Sequence, residues 1–365
     1  MSGRVLASPY IHSGAAVDTI MYWVVGALLP AAAWGVYCFG WPAFWTLFLG
    51  IGSAMVAEWL TLRAMGRPNR VRDGSAALTG LLLAMTLPPY APWWLTVLGS
   101  VVAIVIGKQI YGGLGYNPFN PALIARVILL VSFPVHMTTW PTPIFLLDAG
   151  LDPYNFMQGL AVTFGSILPQ GVTWDTVTSA SLLGQYRTEL SAGATVGEAL
   201  TAGSGYPGYS WVDLMLGRSA GSLGEVSALL LLLGGAVLLF KRIITWHIPV
   251  AMIGATVGMA AIFWTLDPTH YLDPMLHLFS GGLILGALFM ATDMVTSPTT
   301  PKGQLIFGAS IGILTYVIRT WGGYPEGVSF AIVIMNMAVP FIDQYTRPRV
   351  YGHGRKVQGF KGGAR

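Results

Sequence analysis

The 365-residue sequence is 54% apolar and 9% charged, with a formal net charge of +4, and its mean hydropathy is +0.63. Soluble domains carry about 25% charged residues, so this composition excludes an ordinary soluble globule and predicts an integral membrane protein. Cys38 is the one cysteine, which excludes a disulfide or a cysteine-ligated cluster built within the chain. Redox or group-transfer chemistry would therefore need an organic cofactor or a partner.

Ten segments are apolar enough to be membrane spans, since a span needs about 20 mainly apolar residues. In chain order they cover 20–40, 42–62, 75–89, 92–111, 119–135, 225–241, 246–265, 275–292, 303–321 and 327–343. The third and fifth are short and bounded by proline. The predicted fold class is an all-α polytopic membrane protein with ten transmembrane helices.

Basic residues predict the orientation of these spans, because Lys and Arg accumulate on cytoplasmic loops. The connection between the second and third spans carries Arg63, Arg67, Arg70 and Arg72. Placing this connection in the cytoplasm puts both termini there as well, and it leaves the polar insert 136–224 on the outer face. The start of the chain has no apolar stretch before Val17 and is not typical of a cleaved signal.

The sequence also contains an internal repeat. KQIYGGLGYNPFNPALIARVI (108–128) resembles YVIRTWGGYPEGVSFAIVIMN (316–336), and SAALTGLLLAMT (75–86) resembles SGGLILGALFMAT (280–292). Each half holds five spans, and an odd number inverts the second copy. Inverted repeats place their sites at the repeat interface, near Gly/Pro-interrupted segments, which here are GLGYNPFNP and GGYPEG.

These features divide the sequence into four parts. They are a first five-span repeat (1–135), an extracytoplasmic insert between the fifth and sixth helices (136–224), a second five-span repeat (225–343) and a basic cytoplasmic tail (344–365).

Asn117 and Asn120 precede the fifth span, three residues apart. Amides at this position can cap the helix, and they can also hydrogen-bond the edge of a planar heterocycle. The residues alone leave both interpretations open.

Arg126 lies about two turns inside the same span, where an unpaired Arg costs about 2.5–3.5 kcal/mol. It is expected to reach the inner face or to find a carboxylate or carbonyl. Glu58 and Asp293 are candidate partners or ion-path residues, with placement at the membrane interface as the alternative.

A cluster of hydroxyl residues, WDTVTSASLL (174–183), lies in the polar insert. A hydroxyl becomes a nucleophile only beside a base, and no His–acid pair is near in sequence, so a hydrolase is disfavoured. Two interpretations stay open. Asp175 and the hydroxyls can form a turn or helix cap, or one hydroxyl can be modified covalently.

Several longer segments resemble one family over nearly the full length. It comprises the RnfD component of the Rnf electron-transport complex and the NqrB component of the sodium-pumping NADH:quinone reductase, and the short N-terminus favours the Rnf branch. The segments are ASPYIHSG, YGGLGYNPFNPALIARVILLVSFPVHMTTW, KRIITWHIPVAM, GALFMATDMVTSPTTPKGQLIFGASIG, IRTWGGYPEGVSFAIVIMNMAVPFID and YTRPRVYGH.

The resemblance implies a role for the insert. In this family a Thr on the outer side, within a pattern like Asp-x-x-Ser/Thr-x-Ala-Thr, carries FMN through a phosphoester made by a flavin transferase. Ser181 stands at the acceptor position here, after Asp175 and Thr178, and Leu182 stands where Pro is common. Ser181 is thus the expected FMN attachment residue, with Thr178 as the alternate.

The resemblance also implies a second, non-covalent flavin, riboflavin, at the Asn-x-x-Asn pattern formed by Asn117 and Asn120, with Arg126 as a further candidate. The expected function is that of a membrane subunit of an ion-translocating NADH/ferredoxin oxidoreductase in the bacterial inner membrane, inactive alone. Expected partners are the neighbouring flavin-bearing and cluster-bearing subunits, the flavin transferase and membrane lipid, but not nucleic acid. Alternatives are a quinone-reducing subunit, a non-redox inverted-repeat channel or transporter, and a structural subunit.

Overall fold

Helices dominate the protein, whose computed structural model describes residues 16–143, 154–168, 173–201, 211–217, 219–324 and 326–347. The first repeat contains α1 (Val17–Phe39), α2 (Trp41–Ala64), α3 (Ser75–Thr86), α4 (Trp93–Val101) and α5 (Pro121–Ser132). A short 3-10 turn (Val71–Asp73) precedes α3, and α4 continues as a π-helical segment (Val102–Gln109).

The insert and the second repeat follow. The insert holds α6 (Pro134–Thr138), β1 (Trp140–Pro141), α7 (Phe156–Gly165), α8 (Trp174–Val177), β2 (Thr178–Ser179), α9 (Leu182–Ser191), α10 (Val196–Thr201) and α11 (Trp211–Leu216). The second repeat holds α12 (Ala228–Phe240), α13 (His247–Leu266), α14 (Pro274–Phe279), α15 (Leu283–Leu285) with a π-helical continuation (Gly286–Met290), α16 (Pro301–Trp321) and α17 (Val328–Thr346).

Within the described residues, five helices are long and apolar enough to cross a membrane: α1, α2, α13, α16 and α17. Shorter apolar helices are Ser75–Thr86, Trp93–Gln109, Pro121–Ser132, Phe156–Gly165 and Ala228–Phe240. The mainly helical, multi-pass membrane class is therefore confirmed. The ten-span count and the inverted arrangement stay predictions, although every predicted span contains helix. The predicted eighth span is in two pieces, because α14 ends before α15 begins at Leu283.

Several helices begin with a polar cap followed by proline. Asn120 caps α5, Asp273 caps α14 and Thr300 caps α16, each through its side-chain oxygen. Proline suits the next position because its missing N–H belongs to a group that has no intrahelical partner there. The starts of these helices are thus set locally by sequence.

Small residues allow close helix crossings in both repeats. A Cβ on Gly80 of α3 would lie 2.3 Å from the Gly50 carbonyl oxygen of α2. In the second repeat, a Cβ on Gly312 of α16 would lie 2.4 Å from the Met252 oxygen of α13. Apolar lipid gives no hydrophobic force between helices, so close backbone packing of this kind holds them together.

The two repeats meet where α5 crosses α17. Near the start of α5, Asn120 Nδ2 donates to the Met290 oxygen at 3.2 Å, and the Asn336 amide lies 3.1 Å from the Asn120 nitrogen. One turn and a half later, Arg126 pairs with Glu326, just before α17. As the residue number increases along α5, the number of the contacting residue at α17 decreases, so the two helices run antiparallel.

The insert packs against both repeats through specific contacts. Gly159 of α7 lies so close to α2 that a Cβ would meet Trp41 at 2.4 Å. Tyr186 of α9 donates its hydroxyl to the His270 carbonyl at 2.6 Å. Burial raises the pKa of Tyr186 to about 12, so the hydroxyl keeps its proton as a donor. β1 and β2 form a two-residue antiparallel ladder.

Candidate functional site

An apolar pocket lies at the Asn-x-x-Asn loop. Its cavity volume is about 100 Å³, and the non-atom space including the open mouth is about 830 Å³. Apolar side chains of α1, α3, α12, the Gly286–Met290 segment and the adjoining loops form most of its lining. Its polar members are Ser75, Thr79, Lys108, Asn117, Asn120, Thr292 and Asp293. We call it the inner pocket.

The two asparagines have different roles in this pocket. Asn120 is engaged on both sides: its Oδ1 accepts from Ala122 N at 3.1 Å and from Leu123 N at 3.4 Å, and its Nδ2 is bonded as described above. Asn117 donates to the Phe119 oxygen at 3.0 Å, but its buried Oδ1 has no partner among the described residues. Capping is thus confirmed for Asn120, while Asn117 keeps a buried acceptor without a partner in the described structure, in the wall of the pocket.

A buried ion pair forms part of the same wall. Lys108 Nζ lies 2.6 Å from Glu58 Oε1 and also donates to Ser75 Oγ at 2.6 Å. Glu58 is therefore the ion-pair partner of Lys108, and the interpretation of Glu58 as the partner of Arg126 is wrong. Beyond the pair, a polar chamber adjoins the inner pocket through Met21, Leu114, Met294 and Val295. Its lining includes Asp18, Glu58, Arg67, Arg70, Arg72, Asp73 and Gln109.

Asp293 also lines the inner pocket. Its predicted contact with Arg126 is not present in the described structure. Its carboxylate accepts from Val295 N at 3.2 Å and from Thr296 Oγ1 at 3.2 Å. The loop after the Gly286–Met290 segment is thereby held against the pocket.

A second candidate site contains Ser181, where the insert packs against the second repeat. Ser181 is the N-cap of α9, where Oγ accepts from Gly184 N at 3.3 Å, and the residue is 6% exposed. Around it is a small cavity of about 10 Å³. The polar residues that share this cavity are Ser219, Glu225, Ser280 and Glu326. We call this the outer site.

The other predicted residues of the hydroxyl cluster lie nearby in sequence. Thr178 is half-buried in β2, and its hydroxyl donates to the Trp174 carbonyl at 2.7 Å. Asp175 belongs to α8, but its side chain lies outside the described part of the structure.

Arg126 connects the outer site to the first repeat. It is 5% exposed, and its Nη2 donates to Glu326 Oε2. The expectation that it finds a carboxylate is confirmed, and the partner is Glu326 in place of Glu58 or Asp293. Pairing removes the cost of an isolated charge in the membrane. Arg126 thus ties α5 to the wall of the outer site and does not line the inner pocket.

A second buried arginine supports the break in the predicted eighth span. Arg319 donates to the His277 oxygen at 2.7 Å and to the Ser280 oxygen at 2.9 Å, which are carbonyls that the end of α14 leaves unpaired. Gly281 follows with φ +64°, and a Cβ there would lie 2.7 Å from Arg319 Nη2. The side chain of Arg319 thus stabilises the break, and a larger residue at position 281 would collide with its guanidinium group.

Sequence reasoning missed Lys108, Glu225, Arg319 and Glu326 as site residues. The available signal was their charge within or next to apolar segments, where ionisable residues are rare and usually functional. Their partners were not readable, because Arg126 and Glu326 are separated by 200 positions and Lys108 and Glu58 by 50.

Comparison with known proteins agrees with the resemblance of the sequence motifs. The model of the NQR2, RnfD, RnfE family matches residues 4–352. The D-type subunit of the ion-translocating oxidoreductase complex of Stutzerimonas stutzeri is 48% identical over 93% of both chains. The protein of the same name from Halorhodospira halophila is 43% identical over 96% of both. That of Vibrio vulnificus is 43% identical over 97% of this chain and 100% of its own.

A match across nearly the whole chain, with relatives above 40% identity, confirms the resemblance. The chain belongs to the NQR2, RnfD, RnfE family.

Proposed function

We propose that this chain is a membrane subunit of an ion-translocating oxidoreductase complex that carries electrons on two flavins. One is FMN joined to Ser181 at the outer site, and the other is riboflavin in the inner pocket. The observation that carries the proposal is the inner pocket itself: a mainly apolar pocket beside a larger polar chamber, whose wall presents an unpartnered amide oxygen and a buried ammonium.

The inner pocket fits a flavin ring by its chemistry. A flavin edge offers an N–H donor and carbonyl acceptors. Asn117 Oδ1 supplies a free acceptor, and Lys108 is a donor in the same lining. The apolar remainder of the wall would bury the ring faces. Asn120 would act by holding the loop, since its own polar atoms are already bonded.

The outer site fits a phosphoester better than a ring. Ser181 Oγ lies at the start of a ten-residue helix, where free N–H groups and the helix dipole favour an anion. Two buried guanidinium groups stand behind the cavity, and the Nε atoms of Arg126 and Arg319 have no partner among the described residues. The cavity is smaller than a flavin, so the ring would lie beyond it.

When bound, flavins at these places would supply the electron transfer that the chain's own side chains cannot. The chain's residues would hold the phosphate at Ser181, orient a ring at Asn117 and keep water away from it. Expected partners are the other subunits of the complex and a flavin transferase. Ser181 is 6% exposed, so attachment would precede the packing of α9 or need it to open.

The proposal includes the orientation expected from the basic loops. The chain would lie in the bacterial inner membrane with both termini in the cytoplasm and the insert in the periplasm. The outer flavin would then face the periplasm, and the inner pocket, next to Arg67, Arg70 and Arg72, would lie toward the cytoplasm.

The test measures flavin on this chain, purified apart from the other flavin-bearing subunits, before and after its denaturation. One flavin should leave on denaturation, and one should stay with the polypeptide and fluoresce in a denaturing gel. Ser181→Ala should abolish the retained flavin and keep the released one, while Ser181→Thr, the matched control, should keep both. Retained fluorescence in Ser181→Ala would refute the outer assignment, and absence of releasable flavin would refute the inner one.

A further inference from the structure

The wall between the inner pocket and the polar chamber is a chain of hydrogen bonds around one ion pair. Besides the two bonds from Lys108 Nζ, Gln109 Nε2 donates to Glu58 Oε1 at 2.7 Å and Ser75 Oγ donates to Asp73 Oδ1 at 2.5 Å. Lys108 and Glu58 are each 2% exposed. Burying two charges costs several kcal/mol per ion, so a pair here calls for an explanation beyond stability.

The two ends of the pair face different spaces. Lys108 and Ser75 line the inner pocket, whereas Glu58, Gln109 and Asp73 line the chamber. The pair is therefore a dipole with its positive end toward the pocket. An ammonium has three N–H donors, and two go to Glu58 and Ser75 in the described structure, which leaves the third for a ligand.

Local structure places Lys108 at this point. It lies at the end of the π-helical segment Val102–Gln109, and such segments are frequent at functional sites. Gly107 packs against the start of α5, where a Cβ would lie 2.9 Å from Pro121 Cα. Lys108 is thus fixed beside the loop that carries Asn117.

We propose that Lys108 is the cationic contact of the inner pocket and that Glu58 is its positioning residue. Lys108 stabilises the negative charge that an electron-accepting ring gains on reduction, and Glu58 and Ser75 hold its ammonium in place. This inference rests on the proposed function, because it needs a flavin in the pocket. A fixed charge acts strongly here because little water screens it.

Asp293 is the other charged residue in the lining of the inner pocket. Its carboxylate is bonded to Val295 N and Thr296 Oγ1. It stays unchanged in the test variants, so its effect on the ring is the same in all of them.

The test is a reductive titration of the releasable flavin on this chain, separated from the other flavin-bearing and cluster-bearing subunits, with dithionite as the electron donor and mediator dyes. The step adds one electron to the ring, forms no bond and leaves the proton on Lys108. Lys108→Met should lower the equilibrium constant for this step about tenfold, a shift of about 59 mV to more negative potential. Glu58→Gln should shift it to more positive potential, because the ammonium then lacks its counter-charge.

If Lys108 and Glu58 had a purely structural role, the flavin potential would shift in the same direction in both single variants, or it would not shift in either of them. The double variant Lys108→Met/Glu58→Gln leaves no buried unpaired charge, so it is available even if a single variant fails to fold. Its potential should be more negative than that of the unaltered chain and less negative than that of Lys108→Met. Lys108→Arg should stay near the unaltered value. Lys241→Met is the control, since Lys241 is exposed over the Trp23 ring.

Equal potentials in all variants, or shifts of one sign in both single variants, would overturn this inference and leave the proposed function standing. Absence of any releasable flavin on the unaltered chain would overturn both.

Discussion

The inner pocket and the outer site differ in what they leave open. The inner pocket opens beside a larger polar chamber and has one unpartnered amide oxygen and a lysine at its wall. The outer site has a hydroxyl that is already a helix cap, in a cavity that a flavin would overfill. A preformed cavity suits a ligand that binds and leaves. A packed hydroxyl suits a group that is attached once and becomes part of the structure.

The two sites also differ in how the chain builds them. The inner pocket is lined by α1, α3 and the loop before α5 in the first repeat and by α12, the Gly286–Met290 segment and the loop after it in the second. The outer site needs both repeats and the insert, joined by Arg126, Glu326 and Ser181. Disturbing the insert should therefore affect the outer site and spare the inner pocket.

The largest expected effect comes from breaking the Arg126–Glu326 pair. Arg126→Met leaves a buried carboxylate uncompensated, which costs about 3–5 kcal/mol. The thermal midpoint of the purified protein in detergent should fall strongly, and the amount of covalently bound flavin should decrease.

The double variant Arg126→Met/Glu326→Gln serves as its control. It removes both charges and should recover most of the midpoint. A single variant as stable as the unaltered protein would contradict the role of this pair at the repeat interface.

A smaller effect is expected from Gly80→Ala, at the α2–α3 crossing beside the inner pocket. The new methyl group would meet the Gly50 carbonyl, and overpacking of this kind costs about 1–3 kcal/mol. We expect a lower thermal midpoint and weaker retention of the releasable flavin, with the covalent flavin unchanged.

Gly254→Ala on α13 is the matched control, because nothing lies within 4 Å of its Cβ position. It should leave stability unchanged or raise it by up to about 1 kcal/mol. Equal behaviour of the two variants would show that the crossing is not close-packed.

Asn117→Ala should weaken the inner flavin without unfolding the protein. Its Oδ1 has no partner in the described structure, and the variant gives up one local bond, from Nδ2 to the Phe119 oxygen. A hydrogen bond contributes about 0.5–1.5 kcal/mol, which predicts about twofold to twelvefold weaker binding of riboflavin to the flavin-depleted protein.

Asn120→Ala offers the contrast. It removes the cap of α5 and the bond to Met290, so it should lower the thermal midpoint as well. Loss of stability in Asn117→Ala, with unchanged flavin affinity, would reverse the roles assigned to the two amides.

The smallest effect is expected from Thr178→Ala. The lost bond to the Trp174 carbonyl should cost about 1 kcal/mol or less, and the covalent flavin should be retained in full. A denaturing gel with Ser181→Ala beside it makes the comparison. Loss of fluorescence in Thr178→Ala alone would move the attachment to Thr178.

Local features of the fold could be read from the sequence. Helices begin at Asn120-Pro121 and Thr300-Pro301 because capping and proline chemistry act within one turn, and every predicted span contains helix. The break at Ser280-Gly281-Gly282 was not recognised, because glycine is also frequent inside transmembrane helices. Its support by Arg319 depends on a different helix.

The candidate sites divide in the same way. The Asn117 and Ser181 positions are predicted from the family resemblance and stay predictions, while the cap formed by Ser181 follows from local sequence. The pairing of Arg126 with Glu326 and the position of Lys108 in the pocket wall were not predictable. They depend on how the repeats pack, and one sequence holds no record of contacts between distant positions.

The central claim is tested most directly by the intact mass of the peptide 171–187 released from the natively expressed protein. The account predicts a mass raised by one FMN less one water, with the added group on Ser181. An unmodified peptide, or the group on another hydroxyl, would contradict it.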